Sequence, residues 1–403
     1  MDAYLLDWAN LLLRWVHVIT AIAWIGASFY FVMLDNSLSP PGHADLKAKG
    51  VDGEMWAVHG GGFYHSNKYM VAPKWLPLPE NLHWSYWESY STWLTGFGLF
   101  TFLYLFNAGS FLIDKSVFDW SASTAIAAAL GFLVAFWLIY DAICRTLGQR
   151  RNGDLIVGAS VFTFVVFASW LACQLFAGRA AFLLVGAMLA TSMSANVFFW
   201  IIPGQRKVVA QLRAGEPVDP IHGKRGKQRS VHNTYFTLPV LIAMLSNHYG
   251  WLYQAKNNWL VLVLLMLAGA LIRHSFVARH QAHVRGKRTP WEHAVGGVAL
   301  ILGLAFWLAP APQSSAAKEA AAKPVTFQEV EAVVQQRCTL CHNAQVQSKG
   351  IALHTPELIS QNAQAIFQQA AVLKLMPMNN ATQITEDERS LIKRWFEAGA
   401  TAH

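Results

Sequence analysis

The sequence predicts an all-α fold in which a polytopic bundle of eight transmembrane helices precedes a small C-terminal helical domain. Hydrophobic residues make up 54% of the 403 residues and charged residues only 13%, whereas a soluble domain carries about 25% charged residues. The apolar excess lies in the first 309 residues, in stretches long enough to cross a hydrocarbon core of about 30 Å. A cysteine motif near the C-terminus marks a separate domain with different chemistry.

Eight apolar stretches are the candidates for the transmembrane helices. The sixth is short and contains Pro239, so the sequence leaves its ends open. No basic segment precedes the first stretch and no small-residue cleavage site follows it, so we expect a membrane span and not a cleavable signal. The stretches are Ala9–Leu34, Trp87–Asn107, Ser123–Cys144, Leu155–Phe176, Ala180–Ile202, Thr234–Asn247, Asn258–Val277 and Ala294–Ala309.

The lysines and arginines of this bundle are concentrated in alternate loops. Four loops hold eighteen basic residues, and the other three hold only Lys115, Arg179 and Lys256. Because basic loops stay on the cytoplasmic side, we expect a multi-pass inner-membrane protein whose N-terminus and C-terminal domain are periplasmic. The same loops explain the net charge of +8, so nucleic-acid binding is not needed to explain it. The basic loops are 35–86, 145–154, 203–233 and 278–293.

The segment Cys338-Thr339-Leu340-Cys341-His342 is the Cys-x-x-Cys-His signature for covalent attachment of a c-type haem. Two thiols one helical turn apart can add to the two vinyl groups of one porphyrin, and the adjacent histidine then faces the iron. We therefore expect one covalent haem c, held by Cys338, Cys341 and His342. The alternatives are a redox-active dithiol and a zinc site, for which His354 is the nearby further ligand.

The sequence around this motif is similar to a class I cytochrome c. About 35 residues downstream, Met376 precedes Pro377, the usual arrangement of a distal haem ligand in small cytochromes c; Met378 is the alternative ligand. A helix is predicted before the motif, over 327–336. A second one is predicted at the end of the chain, where Thr385 and Glu388 form a capping box.

These features divide the chain into three parts. Residues 1–309 form the membrane domain, and residues 325–403 form the predicted cytochrome c domain. Between them, residues 310–324 are rich in alanine and begin and end with proline, a composition that predicts a semi-rigid linker.

Polar residues inside or beside the spans are functional candidates because they are costly in lipid. Glu88, Asn196, Gln205 and His232 are predicted near the cytoplasmic face. Glu88 has an alternative interpretation as an interfacial residue beside Trp87. Asp141, at the end of the third span, is the other acid expected on this side.

Asp141 has a local partner, because Arg145 follows it by one helical turn. An ion pair between them is therefore the structural alternative to a functional role.

Two histidines are predicted near the periplasmic face. His17 lies in the first span, with Gly26 further along the same helix, and His248 follows the sixth span. A histidine at this depth suits a metal or haem ligand, or a helix–helix hydrogen bond. The two histidines suggest the hypothesis of a second haem, a haem b held between His17 and His248.

The long loop 35–86 is too aromatic for disorder. It contains His59-Gly60-Gly61-Gly62-Phe63-Tyr64-His65, followed by Lys68. Such a segment would suit a lid over a flat, anionic, aromatic substrate. The alternative is a structured loop that caps the bundle.

Seven segments, together with the fused haem motif, resemble the bacterial membrane-bound urate oxidases (urate hydroxylases), in which an eight-span domain precedes a cytochrome c. The resemblance covers nearly the whole chain and depends on the combination and order of the segments. They are Arg14-Trp15-Val16-His17, Trp24-Ile25-Gly26, Trp87-Glu88-Ser89-Tyr90, Ala195-Asn196-Val197-Phe198, Ile202-Pro203-Gly204-Gln205, His232-Asn233-Thr234-Tyr235-Phe236-Thr237-Leu238-Pro239 and Ser246-Asn247-His248-Tyr249.

The resemblance implies oxidation of urate to 5-hydroxyisourate. The electrons would pass through the haem to a respiratory acceptor, such as a soluble cytochrome c or a terminal oxidase, and oxygen would not be the direct acceptor. Gln205 and Asn196 would contact the amide edges of the purine. Glu88 or His232 would act as the general base.

Two other functions are compatible with the residues alone. The chain could be a membrane-anchored electron-transfer cytochrome c that takes electrons from quinol or another donor, without urate chemistry. It could also be a transporter with a redox sensor. A plain anchor needs one span, so the polar groups in several spans favour the enzyme.

Overall fold

A computed structural model describes residues 2–74, 77–309 and 325–401. These residues are mostly helical, as the sequence predicts. The predicted linker, 310–324, lies outside the described residues. The helices of the N-terminal part are α1 (Asp2–Asn36), α2 (Ala44–Ala48), α3 (Trp87–Phe100), α4 (Ala108–Phe111), α5 (Ala122–Leu147), α6 (Gly153–Leu175), α7 (Gly178–Asn196), α8 (Ile202–Arg213), α9 (Pro220–Leu245), α10 (Gly250–Tyr253), α11 (Asn258–Val284) and α12 (Glu292–Trp307).

Helices cover all eight predicted apolar stretches. Within the described residues, five helical segments are long and apolar enough to cross a membrane. The other three stretches lie on α3, α9 and α12, so the count of eight crossings stays a prediction. The five segments are Tyr4–Asn36, Ala122–Leu147, Gly153–Leu175, Gly178–Arg213 and Asn258–Val284.

The α7 helix forms the centre of the bundle. Its side chains Phe182, Met188 and Leu189 are buried, because α5, α6 and α9 pack around it. The closest approach is at Gly186, where an added Cβ would lie 2.8 Å from the Ala243 side chain on α9. The α1 helix lies at the edge, packs mainly on α3 and exposes most of its apolar side chains.

A β-hairpin in the loop 35–86 corrects the all-α prediction. Strands β1 (Gly53–His59) and β2 (Gly62–Lys68) pair antiparallel. They can do so because Gly60 and Gly61 take φ values of +60° and +80°, which the two central residues of a type I′ turn require. The loop is therefore structured, as one of its two interpretations expected.

The hairpin is fixed to the bundle through one carboxylate. Asp35 at the end of α1 forms an ion pair with Lys68 of β2, and a second one with Lys227 of α9 at 2.6 Å. Lys68 therefore has a partner for its charge within the protein.

The C-terminal part has its own hydrophobic core, in which Val330, Ile359, Ile392 and Trp395 are buried. Two of its helices begin with capping boxes, at Thr326 and at the predicted Thr385. The helices are α13 (Phe327–Arg337), α14 (Pro356–Gln361), α15 (Ala363–Ile366), which continues as a π-helical segment (Phe367–Val372), and α16 (Glu386–Glu397).

This C-terminal domain lies against one end of the bundle. Asn379 donates a hydrogen bond to the Ser110 carbonyl at 3.0 Å, and Gln254 donates one to the Lys374 carbonyl at 2.6 Å. The loops before α5 and α11 therefore share a face with the domain. The distribution of basic residues predicts that these two loops lie on the same side as the C-terminal domain. The assignment of this side to the periplasm stays a prediction.

We expect Gly186→Leu to destabilise the membrane domain, because the larger side chain must displace α9. Overpacking costs about 1–3 kcal/mol, and sometimes more. The matched control is Gly158→Leu, since a Cβ at Gly158 meets nothing within 4 Å. Thermal unfolding midpoints in detergent test the pair, and equal midpoints would contradict the packing of α7 on α9.

Candidate functional site

A buried ion pair joins α5 to α9 inside the bundle. Asp141 Oδ1 accepts hydrogen bonds from Arg229 Nη2 at 2.6 Å and from Trp200 Nε1 at 2.7 Å. Its second oxygen lies 2.6 Å from Arg145 Nε, which confirms the local pair expected from the sequence. The Arg229 contact was not predicted, because the two residues lie 88 positions apart.

The charge of Arg229 is compensated in several ways. Arg229 is 2% exposed and Asp141 is 5% exposed. The guanidinium lies 5.0 Å from the Tyr140 ring centroid and 5.1 Å from that of Trp200. Trp200 reaches this position from a π-helical segment, Val197–Ile201, that links α7 to α8. Buried charges are tolerated when they are paired in this way, so the Arg229 guanidinium already has a partner within the protein.

Two of the predicted site residues, Asn196 and His232, are brought together by Tyr140. Asn196 Nδ2 donates to the Tyr140 hydroxyl and to Asn233 Oδ1, both at 2.9 Å. Its oxygen lies 3.4 Å from Arg229 Nη1. Asn196 is fully buried, and both of its donors are used within the protein.

The Tyr140 hydroxyl also contacts His232. This hydroxyl accepts from Asn196 and forms a hydrogen bond with His232 Nδ1, 2.8 Å away. His232 Nδ1 therefore has a partner within the protein.

Glu88 and Gln205 lie outside this network of hydrogen bonds. Glu88 is half-buried in the first turn of α3, next to Trp87, which is exposed. Gln205 is exposed on α8. Among the described residues no ion pair involves Glu88, so its carboxylate is available to a ligand.

His17 contacts α3 at a close approach. A Cβ on Gly96 would lie 2.9 Å from His17 Cε1. His17 Nδ1 lies 3.0 Å from the hydroxyl of Thr95, which donates to the Ser91 carbonyl at 2.6 Å. Because Nδ1 has a partner within the protein, Nε2 is the ring nitrogen that a ligand would use.

His248 is exposed in the turn after α9. Its neighbour Asn247 is the residue that faces the bundle, where it accepts hydrogen bonds from Tyr104 and Arg179 at 2.7 and 3.0 Å. The described contacts do not join His17 to His248, and a haem between them stays a prediction.

A backbone carbonyl orients the histidine of the haem motif. Nδ1 of His342 lies 3.0 Å from the Ile351 carbonyl, which fixes the ring and leaves Nε2 for iron. Cys338 packs against the C-terminal core and Cys341 is exposed, and both are free thiols. Burial raises the pKa of the Cys338 thiol to about 11. These residues fit a c-type haem.

The segment that carries Met376 is held by a buried arginine. Arg389 of α16 is 3% exposed and donates to the Met376 carbonyl at 2.9 Å and to the Ala370 carbonyl. Arg389 and Ile351 could not be predicted from the sequence, because their contacts involve backbone carbonyls and depend on how the chain folds.

A second arginine links the haem motif to α16. Arg337, next to Cys338, donates to both Glu388 oxygens at 2.9 and 3.2 Å. Partial burial alone would raise the pKa of Glu388, but hydrogen bonds from Arg337 and Thr385 hold this pKa below its usual range.

The described residues contain no group of three or more His, Cys, Asp or Glu side chains that could hold a metal ion. Among these residues, a zinc ion at Cys338 and Cys341 would therefore find no further ligands.

We expect Asp141→Asn to destabilise the bundle by roughly 3–5 kcal/mol, because it leaves Arg229 buried without a counter-charge. The double variant Asp141→Asn/Arg229→Gln should recover part of this loss, since it removes both charges. Thermal unfolding of the two single variants and the double variant measures the coupling. Strictly additive effects would show that the pair is not coupled.

Comparison with known proteins identifies the N-terminal part of the chain. Residues 3–309 match the family described as Urate oxidase N-terminal. No curated protein and no solved structure was found to match the chain. The family match covers the whole helical bundle and most of the sequence, and the chain therefore belongs to the Urate oxidase N-terminal family.

Proposed function

We propose that this protein oxidises urate to 5-hydroxyisourate and delivers the electrons to the respiratory chain, and that its C-terminal domain holds one covalent haem c. The family match over residues 3–309 is the observation that carries the urate half of this proposal. The arrangement of Cys338, Cys341 and His342 supports the haem half.

The reaction needs water and an electron acceptor. Urate and water give 5-hydroxyisourate, two protons and two electrons, and the added hydroxyl oxygen comes from water. The protein must hold a planar anion, accept a proton and remove electrons. A haem, when bound, supplies one-electron redox chemistry.

Of the predicted site residues, Glu88 is our candidate for the general base. Its carboxylate is half-buried and lacks an ion pair among the described residues, whereas His232 Nδ1 is hydrogen-bonded to Tyr140. Gln205 is our candidate for contact with the purine, because it is exposed. Asn196 acts by positioning Tyr140 and Arg229.

The C-terminal residues place the Met376 segment next to the membrane domain. Leu375 packs against the apolar core of the bundle, and Lys374 and Asn379 on either side make hydrogen bonds to it. With Met376 as the distal ligand, this side of the domain would receive electrons from the bundle. Exposed Leu340 and Val346 lie on the haem-motif loop and remain accessible to an external partner.

The proposed setting is the bacterial inner membrane, with eight spans and the C-terminal domain in the periplasm. This topology rests on the apolar stretches and the distribution of basic loops. The acceptor would be a soluble cytochrome c or a terminal oxidase.

Anaerobic addition of urate to the oxidised, purified protein should reduce its haem, as measured by absorption. With haem c as the one redox centre of each chain, we expect one urate to reduce two protein molecules, because each urate releases two electrons. The control is Cys338→Ser/Cys341→Ser, which should show no covalent haem signal.

Absence of reduction by urate in a protein that dithionite reduces would contradict the proposed enzyme. Reduction by a quinol but not by urate would favour the membrane-anchored electron carrier. A pyridine haemochrome spectrum of the same sample counts haem b, and a spectrum of c-type haem alone would remove the His17–His248 proposal.

A further inference from the structure

Arg273 of α11 is a buried cation without a counter-charge. It is 3% exposed. Its Nε and Nη2 are buried and, among the described residues, have no hydrogen-bond partner. Its close contact is with the Phe29 ring of α1, whose centroid lies 3.7 Å from the guanidinium carbon. Buried donors without partners are costly, so they point to an interaction that is completed by something else.

Arg273 and Arg229 differ in the partners of their charge. Both arginines are almost completely buried in the same bundle. Arg229 has a carboxylate at 2.6 Å, whereas no acidic side chain pairs with Arg273 in the described part of the chain. Lys68, a basic residue of the predicted lid, is also paired with an acid. Arg273 is therefore the better candidate for binding an external anion.

The Arg273 side chain lies on a cleft between α1 and α11. The cleft has a volume of about 300 Å³, at the lower end of the range for small-molecule sites. Its lining offers aromatic rings and positive or titratable groups. Lining residues include Phe29, Tyr30, Arg273, Phe276, Arg279 and His280.

The residues that line the cleft favour a flat anion. The described lining contains no acidic residue, so an anion meets no repulsion there. The unpartnered Nε and Nη2 form one edge of the guanidinium fork, and two parallel N–H donors match a planar edge of neighbouring oxygen and nitrogen acceptors. Phe29, Tyr30 and Phe276 are each about 40–50% exposed, so a ring can stack on them.

We propose that the cleft between α1 and α11 binds a planar heterocyclic anion, with Arg273 as its charge partner and the aromatic side chains as its stacking surface. The identification of this anion with urate rests on the proposed function. A phospholipid headgroup shares the negative charge but lacks the planar ring, so the two are separable by experiment.

The test is equilibrium binding of urate, xanthine and orotate to the full-length protein in detergent. The protein is kept anaerobic and reduced with dithionite, so that it cannot accept electrons and no turnover occurs. We expect Arg273→Gln to weaken urate binding roughly 10- to 100-fold, because a charge-assisted, two-pronged interaction is lost. Arg273→Lys should lose less, since it keeps the charge.

Two further variants control for folding and for general charge. Phe29→Leu leaves Arg273 in place and should weaken binding about 3- to 10-fold, because a stacking contact is lost. Arg225→Gln removes an exposed arginine outside the cleft and should bind like the wild type.

The outcomes separate this inference from the proposed function. If urate binds but neither Arg273→Gln nor Phe29→Leu weakens it, the cleft is not the site and urate oxidation still stands. If urate does not bind but another planar anion binds through Arg273, the site stands and the proposed substrate is wrong. If none of the three anions binds, or if Arg273→Gln changes only the content of co-purified phospholipid, the inference is wrong.

Discussion

Compensation of charge inside an apolar helix bundle is the constraint on which this structure depends. Asp141 neutralises Arg229 and accepts from Trp200, so one carboxylate joins α5, α9 and the π-helical segment between α7 and α8. The same arginine orders Asn196, which in turn sets the hydrogen bonds of Tyr140 and His232. Such a polar network stabilises one arrangement of the helices, and its members are occupied with one another. We therefore expect the ligand chemistry at groups outside the network, among them Glu88, Gln205 and Arg273.

Much of the fold follows from local patterns in the sequence. The apolar stretches, the Thr385 capping box and the Asp141–Arg145 pair involve residues within a few turns of each other, so spacing predicts them. The hairpin was not predicted, because the expectation for the loop 35–86 rested on its composition and not on the glycine turn within it. Arg229 and Arg273 carried no local signal. Only packing decides that one meets an acid and the other meets an aromatic ring.

The candidate anion cleft and the C-terminal domain lie toward opposite ends of α11. This helix begins at Asn258, close to Gln254 and its contact with the domain, and reaches Arg273 fifteen residues later, about 22 Å along the axis. Electrons from a substrate at the cleft would have to cover that distance. His17 lies at an intermediate height on α1, with Nδ1 hydrogen-bonded to Thr95 and a glycine facing its ring. A second haem at His17 would divide this distance into two shorter steps.

The most direct measurement is an electron cryo-microscopy structure of the full-length, reduced protein with urate under anaerobic conditions. We expect planar density in the cleft between α1 and α11, stacked on an aromatic ring and within hydrogen-bonding distance of Arg273. Urate density beside Asn196 and His232, or a lipid headgroup on Arg273 with urate bound elsewhere, would contradict this assignment.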